Sequence, residues 1–72
     1  MNTPYENLAN AIILRAVKDY RLALYRCYQH PEKEIYRQDK ESIERFFRSG
    51  WFGVLTHLDP DFLIRRLCQE VA

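Results

Sequence analysis

Apolar side chains recur every three or four residues through the first third of the chain, a spacing that places them on one face of a helix. These positions are Ala9, Ile13, Ala16, Val17, Tyr20, Ala23, Leu24 and Cys27. Thr3 can cap this helix, Pro4 fits its first position, and Glu6 can return a bond to the cap. Because Pro31 disfavours helical geometry at His30, the pattern predicts one long helix that begins after Thr3 and ends near His30.

The middle of the chain, residues 31–39, is mostly charged and fits either a loop or the first turns of a second helix, with partial helix favoured. A firmer helical pattern covers residues 40–49. Its predicted inward side chains are Ile43, Phe46 and Phe47. Acidic residues stand four positions before basic ones on the predicted solvated face, namely Glu41 with Arg45 and Glu44 with Arg48.

Two turn signals divide the last third of the chain. Ser49-Gly50 interrupts the second helix, and Asp59-Pro60-Asp61 supplies a cap, a first-position proline and an acidic first turn for the last one. The apolar segment between them predicts about two turns of helix, capped by Ser49 and wedged into the core. Its apolar side chains are Trp51, Phe52, Val54, Leu55 and Leu58. The last helix is predicted to run to about Glu70 with these side chains inward: Phe62, Leu63, Ile64, Leu67, Cys68 and Val71.

These elements predict an all-α fold, a compact bundle of three main helices plus one short aromatic helix, in one domain over residues 1–72. Of the 72 residues, 47% are hydrophobic and ten are aromatic. A chain this short buries a smaller fraction of its surface than a larger domain does. The apolar content is nevertheless well above that of disordered chains, so folding is expected.

The first helix carries a second apolar stripe. Its members lie within about 80° of one another, roughly opposite the main apolar face, and are Ala11, Leu14, Leu22 and Tyr25, with Lys18 between them. In one interpretation the second and last helices pack on either side of the first and cover this stripe. In the other, the stripe contacts a protein partner or a second copy, since contiguous apolar patches on small proteins usually mark contacts. The candidate partner-binding residues are Leu14, Lys18, Leu22 and Tyr25.

Side chains that could carry chemistry are few. A tetrahedral zinc site would need four residues that do not form two close-set pairs: Cys27, His30, His57 and Cys68. Nucleophilic catalysis needs a thiol or hydroxyl beside an oriented base. Cys68, Ser42 and Ser49 all have structural interpretations on helices or at a cap. The sequence therefore indicates a non-enzymatic protein with no metal, no cofactor and no small-molecule substrate.

Charge gives little support to nucleic-acid binding, because eleven Lys and Arg against ten Asp and Glu leave a net charge of +1. Residues 51–70 superficially resemble a helix-turn-helix, but Asp59 and Asp61 stand at the end that would enter the groove, where phosphates repel them. The alternative function is a small DNA-associated accessory protein with an arginine-rich face. That face would consist of Arg45, Arg48, Arg65 and Arg66.

The chain begins without the basic start and long apolar stretch of a signal peptide, and no apolar run approaches the length of a membrane span. Two cysteines without framework spacing are typical of reduced thiols rather than of a disulfide scaffold. We therefore expect a cytoplasmic protein with no membrane partner.

Two segments resemble a known family. Residues 10–21 (NAIILRAVKDYR) and 43–52 (IERFFRSGWF), with the later Leu55 and Thr56, resemble small uncharacterised proteins encoded in prophages and conjugative elements of Gram-positive bacteria. The region that contains these segments, from the first to the last, covers about two thirds of the chain. The second segment is the family's most distinctive feature, usually with Asp where Gly50 stands here, so the capping chemistry at this turn differs. The resemblance implies no activity; it implies a bacterial cytoplasm and a mobile element, where small helical proteins often bind a host or element-encoded protein.

Aromatic residues are concentrated in the second of these segments, at the corner between two predicted helices: Phe46, Phe47, Trp51 and Phe52. Such clusters usually form core, and the sequence predicts that these residues do. The alternative is that Trp51 or Phe47, with Arg48, is partly exposed and forms a binding hot spot. Taken together, the sequence predicts a non-enzymatic protein–protein interaction module of a mobile element, whose partner is another protein or a second copy.

Overall fold

The computed structural model describes residues 3–71, with the side chains of Tyr5 and Val71 outside the description. It contains four helices, α1 (Pro4–Gln29), α2 (Glu34–Phe47), α3 (Gly50–Leu55) and α4 (Pro60–Val71). No strand occurs among the described residues. The predicted all-α bundle of three main helices plus one short helix is confirmed.

The capping of α1 is as predicted. The Thr3 hydroxyl accepts a hydrogen bond from the backbone N–H of Glu6 at 3.1 Å, and the Glu6 carboxylate accepts one from the N–H of Thr3 at 3.2 Å. The helix has 26 residues and is therefore about 39 Å long. Because the whole molecule measures 44 × 21 × 18 Å, α1 spans most of its length, and the other helices are arranged along it.

α2 begins at Glu34, so the charged segment before residue 40 is partly helical, as favoured from the sequence. It runs back along α1. Asp39 lies beside Arg26 in the groove between the two helices, and Phe46 lies beside Ile12 further along the same groove. Since the order along one helix reverses the order along the other, α1 and α2 are antiparallel.

The core lies where the helices meet around three aromatic side chains. Tyr20, Phe47 and Phe52 are fully buried, and Phe47 makes edge-to-face contacts with Tyr20 and Phe52 at ring distances of 5.5 and 5.4 Å. Ile64 and Leu67 of α4 join the same cluster. The predicted inward face of α1 is confirmed, because every one of its residues is buried or half-buried.

The prediction that Trp51 is a core residue is wrong. α3 has only six residues and directs Phe52 and, in part, Leu55 into the core. Trp51 stands about 100° around the helix from Phe52 and is 73% exposed. Val54 and Leu58, from the same predicted wedge, are also exposed. α3 ends at Leu55, so the observed helix is shorter than the apolar segment that was predicted to form it.

Ser49 and Asp59 both precede helices, but only one of them caps with its side chain. The Ser49 hydroxyl donates to the carbonyl of Phe46 at 2.6 Å and makes no cap bond to α3. It therefore secures the end of α2 instead of the start of α3. At α4 the Asp59 carboxylate accepts from the N–H of Asp61 at 3.0 Å, with Pro60 first in the helix, as predicted.

The prediction that Phe62 faces inward is also wrong. It stands about 160° from the buried Ile64 around α4 and is 57% exposed. Leu63 and Cys68, predicted inward beside it, are half-buried. Val71, also predicted inward, has a side chain outside the described part of the chain.

Neither of the predicted acid-first pairs on α2 forms among the described residues. Glu44 is half-buried instead of solvated because its carboxylate accepts a hydrogen bond from the Tyr20 hydroxyl. Arg48 pairs with Asp61 of α4, with 3.2 Å between Arg48 Nε and Asp61 Oδ1. The ion pairs found within α2 are Glu34 with Arg37, Arg37 with Glu41, and Lys40 with Glu44.

Candidate protein interaction surface

One face of α1 is left uncovered by the other helices. The core contacts of α2, α3 and α4 lie on the face of α1 that carries Tyr20. Away from that face Leu14 is 67% exposed, Leu22 47% and Tyr25 52%, and Leu22 also lines the edge of the groove between α1 and α2. The interpretation in which two helices flank α1 and bury this face is therefore wrong. We name the exposed residues of this face the α1 stripe: Ala11, Leu14, Lys18, Leu22 and Tyr25.

Ion pairs border the α1 stripe on both sides. Arg15 Nε lies 3.4 Å from Asp19 Oδ2 on the edge nearer α2. Arg21 Nε lies 2.9 Å from Glu70 Oε2 on the edge nearer α4. Lys18 is exposed in the middle of the stripe. A polar, charged rim is usual in a protein–protein interface, whereas a lysine at the centre is not.

The Tyr25 side chain is held in place within the stripe. Its hydroxyl accepts a hydrogen bond from the side-chain amide of Gln29 at 2.7 Å, one turn further along α1. A tyrosine ring offers a large contact area at a low entropic cost, because only two side-chain torsions must be fixed. The bond to Gln29 restricts the ring further.

The chain exposes more surface than its mass requires. Its accessible area is 5603 Å², whereas a folded monomer of 8.7 kDa is expected to expose about 4,700 Å². The elongated shape, 44 × 21 × 18 Å, accounts for this excess, which is spread over the whole surface.

A second exposed apolar area surrounds α3. Trp51 and Val54 line a shallow open pocket together with Gly50, and Leu58 and Phe62 are exposed further along the chain. The sequence signal for this area is the run of residues 49–58, which contains no Asp, Glu, Lys or Arg. An uncharged run of this kind is equally typical of a buried segment, so its apolar composition alone predicts, wrongly, that Trp51 is buried.

The hydroxyl of Tyr20 joins three helices. It donates to Glu44 Oε2 of α2 at 2.5 Å and lies 3.6 Å from Cys68 Sγ of α4. Since its single proton goes to the carboxylate, the thiol is the donor in the second contact. Burial and then the bonds to Glu44 and Cys68 raise the pKa of Tyr20 above its usual value. A buried, neutral tyrosine cannot reach a substrate, so this contact is structural; sequence analysis placed Tyr20 in the core but did not identify these partners.

The residues considered as metal ligands or nucleophiles are not assembled into a site. Within residues 3–71 no group of three or more His, Cys, Asp or Glu side chains could hold a metal ion. Cys27 and Cys68 are free thiols, each half-buried. Ser42 lines the shallow groove between α1 and α2 beside Asp19, and Ser49 is bonded to the end of α2.

The arginines of the alternative nucleic-acid face share their surface with acidic residues. Arg48 is paired with Asp61 at the start of α4, where Asp59 also lies, and both carboxylates repel phosphate. The other three arginines are exposed and form no ion pair among the described residues: Arg45, Arg65 and Arg66. No geometric feature of these three distinguishes them from ordinary solvated side chains.

Comparison with known proteins gives no relative from which a function could be transferred. No family model, no curated protein and no solved structure matches the chain. No helix in the described part of the chain is long and apolar enough to cross a lipid bilayer. The α1 stripe is the candidate site because its apolar side chains are exposed on one face of a single helix.

Proposed function

We propose that this chain is a non-enzymatic protein–protein interaction module that contacts its partner through Leu14, Lys18, Leu22 and Tyr25 of the α1 stripe. The resemblance of residues 10–21 and 43–52 to prophage and conjugative-element proteins supports a role in a bacterial mobile element. The two free cysteines support a cytoplasmic location, because reducing compartments keep thiols free.

The observation that carries the proposal is the exposure of the α1 stripe on the side of α1 opposite the core. Burying a leucine that is otherwise in water contributes about 1.5–3 kcal/mol. In the isolated chain Leu14 and Leu22 lack much of this favourable burial free energy, because the core contacts of α2, α3 and α4 lie on the other face of α1. A partner that covers both leucines recovers it, and Tyr25 adds an amphipathic ring of the kind that dominates binding energy.

Site-specific photo-cross-linking tests the proposal. A tagged chain with benzoylphenylalanine at position 22 is produced in bacterial cells, which are then irradiated. We expect a cross-linked product on a denaturing gel, and mass spectrometry of that product identifies what contacts the stripe. The matched control carries the same probe in place of Gln38, which is exposed on the outward side of α2.

A product from position 22 that is absent or much weaker from position 38 supports a protein contact at the α1 stripe. Equal labelling from both positions indicates random collision and contradicts the proposal, as does the absence of any product from position 22.

A further inference from the structure

We infer that the partner of the α1 stripe is a second copy of this chain, packed against the first in antiparallel orientation with a twofold axis at Lys18. The inference rests on the proposed function and identifies its partner. It follows from the residues that the exposed face carries around Lys18 and from the charges beside that face.

Positions four, seven and eleven residues before and after any residue share its face of a helix. Around Lys18 all six of these positions are exposed, namely Asn7, Ala11, Leu14, Leu22, Tyr25 and Gln29. In a twofold-symmetric contact, residue i meets residue j while j meets i. A residue that precedes Lys18 by some number of positions therefore faces the residue that follows Lys18 by the same number on the other copy.

The residues matched in this way are chemically complementary. Leu14 faces Leu22 of the second copy, so the two most central apolar positions cover each other. Ala11 faces Tyr25 of the second copy, which sets the smallest side chain of the stripe against the largest. At the ends of the contact, Asn7 faces Gln29 of the second copy, and both are polar. No apolar side chain of the stripe is matched with a charged one.

Lys18 lies on the axis and faces its own counterpart. Its long aliphatic stem can cover apolar surface while the ammonium group stays in water. A single lysine in the seam between two helices fixes their register at a cost in stability. Lys18 therefore weakens the contact but specifies the one alignment in which the apolar residues match.

The charges beside the stripe favour the same alignment. Arg15 and Asp19 lie on one edge of α1, three positions before and one position after Lys18. In the antiparallel pair, this edge of each copy faces the same edge of the other. Arg15 then lies about 3 Å along the helix axis from Asp19 of the second copy, within reach of a guanidinium group. Two such contacts form around the axis, in addition to the pair at 3.4 Å within each α1.

The size of the stripe is adequate for a dimer. From Asn7 to Gln29 the exposed face extends for about 33 Å. The remaining helices contact the other side of α1, so two copies can approach along this face without steric conflict.

Disulfide trapping tests the orientation and the axis. In the antiparallel pair only the axial position meets itself, so Lys18→Cys chains should oxidise to a covalent dimer, with peptide mapping placing the bond between the two introduced thiols. Leu14→Cys alone should give no such dimer, because its two copies lie about 12 Å apart along the axis, beyond the roughly 7 Å Cα separation that a disulfide spans. A mixture of Leu14→Cys and Leu22→Cys chains should give the mixed disulfide.

We expect a covalent dimer from Lys18→Cys, none from Leu14→Cys alone, and a mixed dimer when Leu14→Cys and Leu22→Cys chains are combined. The helix content of each variant, measured by circular dichroism, should match that of the unsubstituted protein. Self-linkage of Leu14→Cys would show a parallel pair and overturn the inference. Absence of every linkage would also overturn it. If no linkage forms but the photo-cross-linking probe at position 22 captures a different protein, the dimer is contradicted and the proposed function is supported. If that probe gives no product either, both the dimer and the proposed function are contradicted.

Discussion

Trp51 and Phe52 are neighbours in the sequence with opposite environments, since Trp51 is 73% exposed and Phe52 1%. We expect Phe52→Ala to lower the free energy of unfolding by about 3–5 kcal/mol, because it empties the centre of the aromatic core. Trp51→Ala should change it by about 0.5 kcal/mol or less, as surface substitutions usually do. Urea denaturation of both variants measures the difference, and a large loss of stability in the Trp51 variant would contradict its exposed position.

The buried Tyr20 hydroxyl leads to a second prediction at the residue scale. Tyr20→Phe removes the bond to the Glu44 carboxylate and should cost about 1.5–3 kcal/mol at neutral pH, the usual range for hydrogen bonds to charged groups. Because folding raises the pKa of Tyr20, the folded chain holds this proton more tightly than the unfolded chain, whose tyrosines titrate near pH about 10. The stability that Tyr20 contributes is therefore complete below that pH and decreases progressively as the pH rises above it.

Thermal unfolding of the wild type and the Tyr20→Phe variant between neutral pH and alkaline pH measures this effect. The difference in stability between the two proteins should shrink as the pH rises above about 10. Tyr25→Phe is the matched control, since Tyr25 is exposed and bonded only within α1. A Tyr20→Phe difference that stays constant into the alkaline range would show that the hydroxyl does not hold its proton more tightly in the fold.

At the scale of helices, local chemistry predicts where α1 and α4 begin. Thr3 with Glu6 and Asp59 with Pro60 are complete capping signals that need no tertiary contact. The orientation of α3 could not be predicted in this way. Nearly every side chain of the segment is apolar, so the sequence contains no polar face to indicate which side meets water. The direction is decided by Phe52, which fits between Phe46 and Phe47 of α2.

The glycines of α3 provide a prediction for that helix. Gly53 has no positive backbone φ, and a Cβ added there would meet nothing within 4 Å. Glycine inside a helix is destabilising by roughly 0.5–1 kcal/mol relative to alanine. Gly53→Ala should therefore stabilise the protein by about that amount, measured as a rise in the midpoint of thermal unfolding. A fall in that midpoint would mean that α3 needs the flexibility of glycine.

At the scale of the whole molecule, the residues of the α1 stripe could be predicted from the sequence but their exposure could not. The 3.6-residue period placed Leu14, Leu22 and Tyr25 on one side of α1. Whether that side is covered depends on where α2 and α4 pack. The half-buried Glu44 and the bond from Arg21 to Glu70 both position helices on the Tyr20 side of α1. These contacts join residues far apart in the sequence, so periodicity within one helix contains no information about them.

The mass in solution is the property that the exposed stripe should determine. Light scattering over a wide concentration range should show the mass rising from one chain of 8.7 kDa towards two. Raising the salt concentration should not dissociate the pair, because the contact is largely apolar. Salt screens the attraction between Arg15 and Asp19 of the two copies, but it also screens the repulsion between the two Lys18 side chains. Leu22→Glu should give a folded monomer, because the dimer would have to bury a carboxylate against Leu14 of the second copy. Gln38→Glu on the outward side of α2 should leave the dimer intact. A mass of one chain at every concentration would contradict self-association. Loss of helix content in the Leu22→Glu variant would contradict the exposed position of Leu22, since the substitution should unfold the chain only if Leu22 is buried within the monomer.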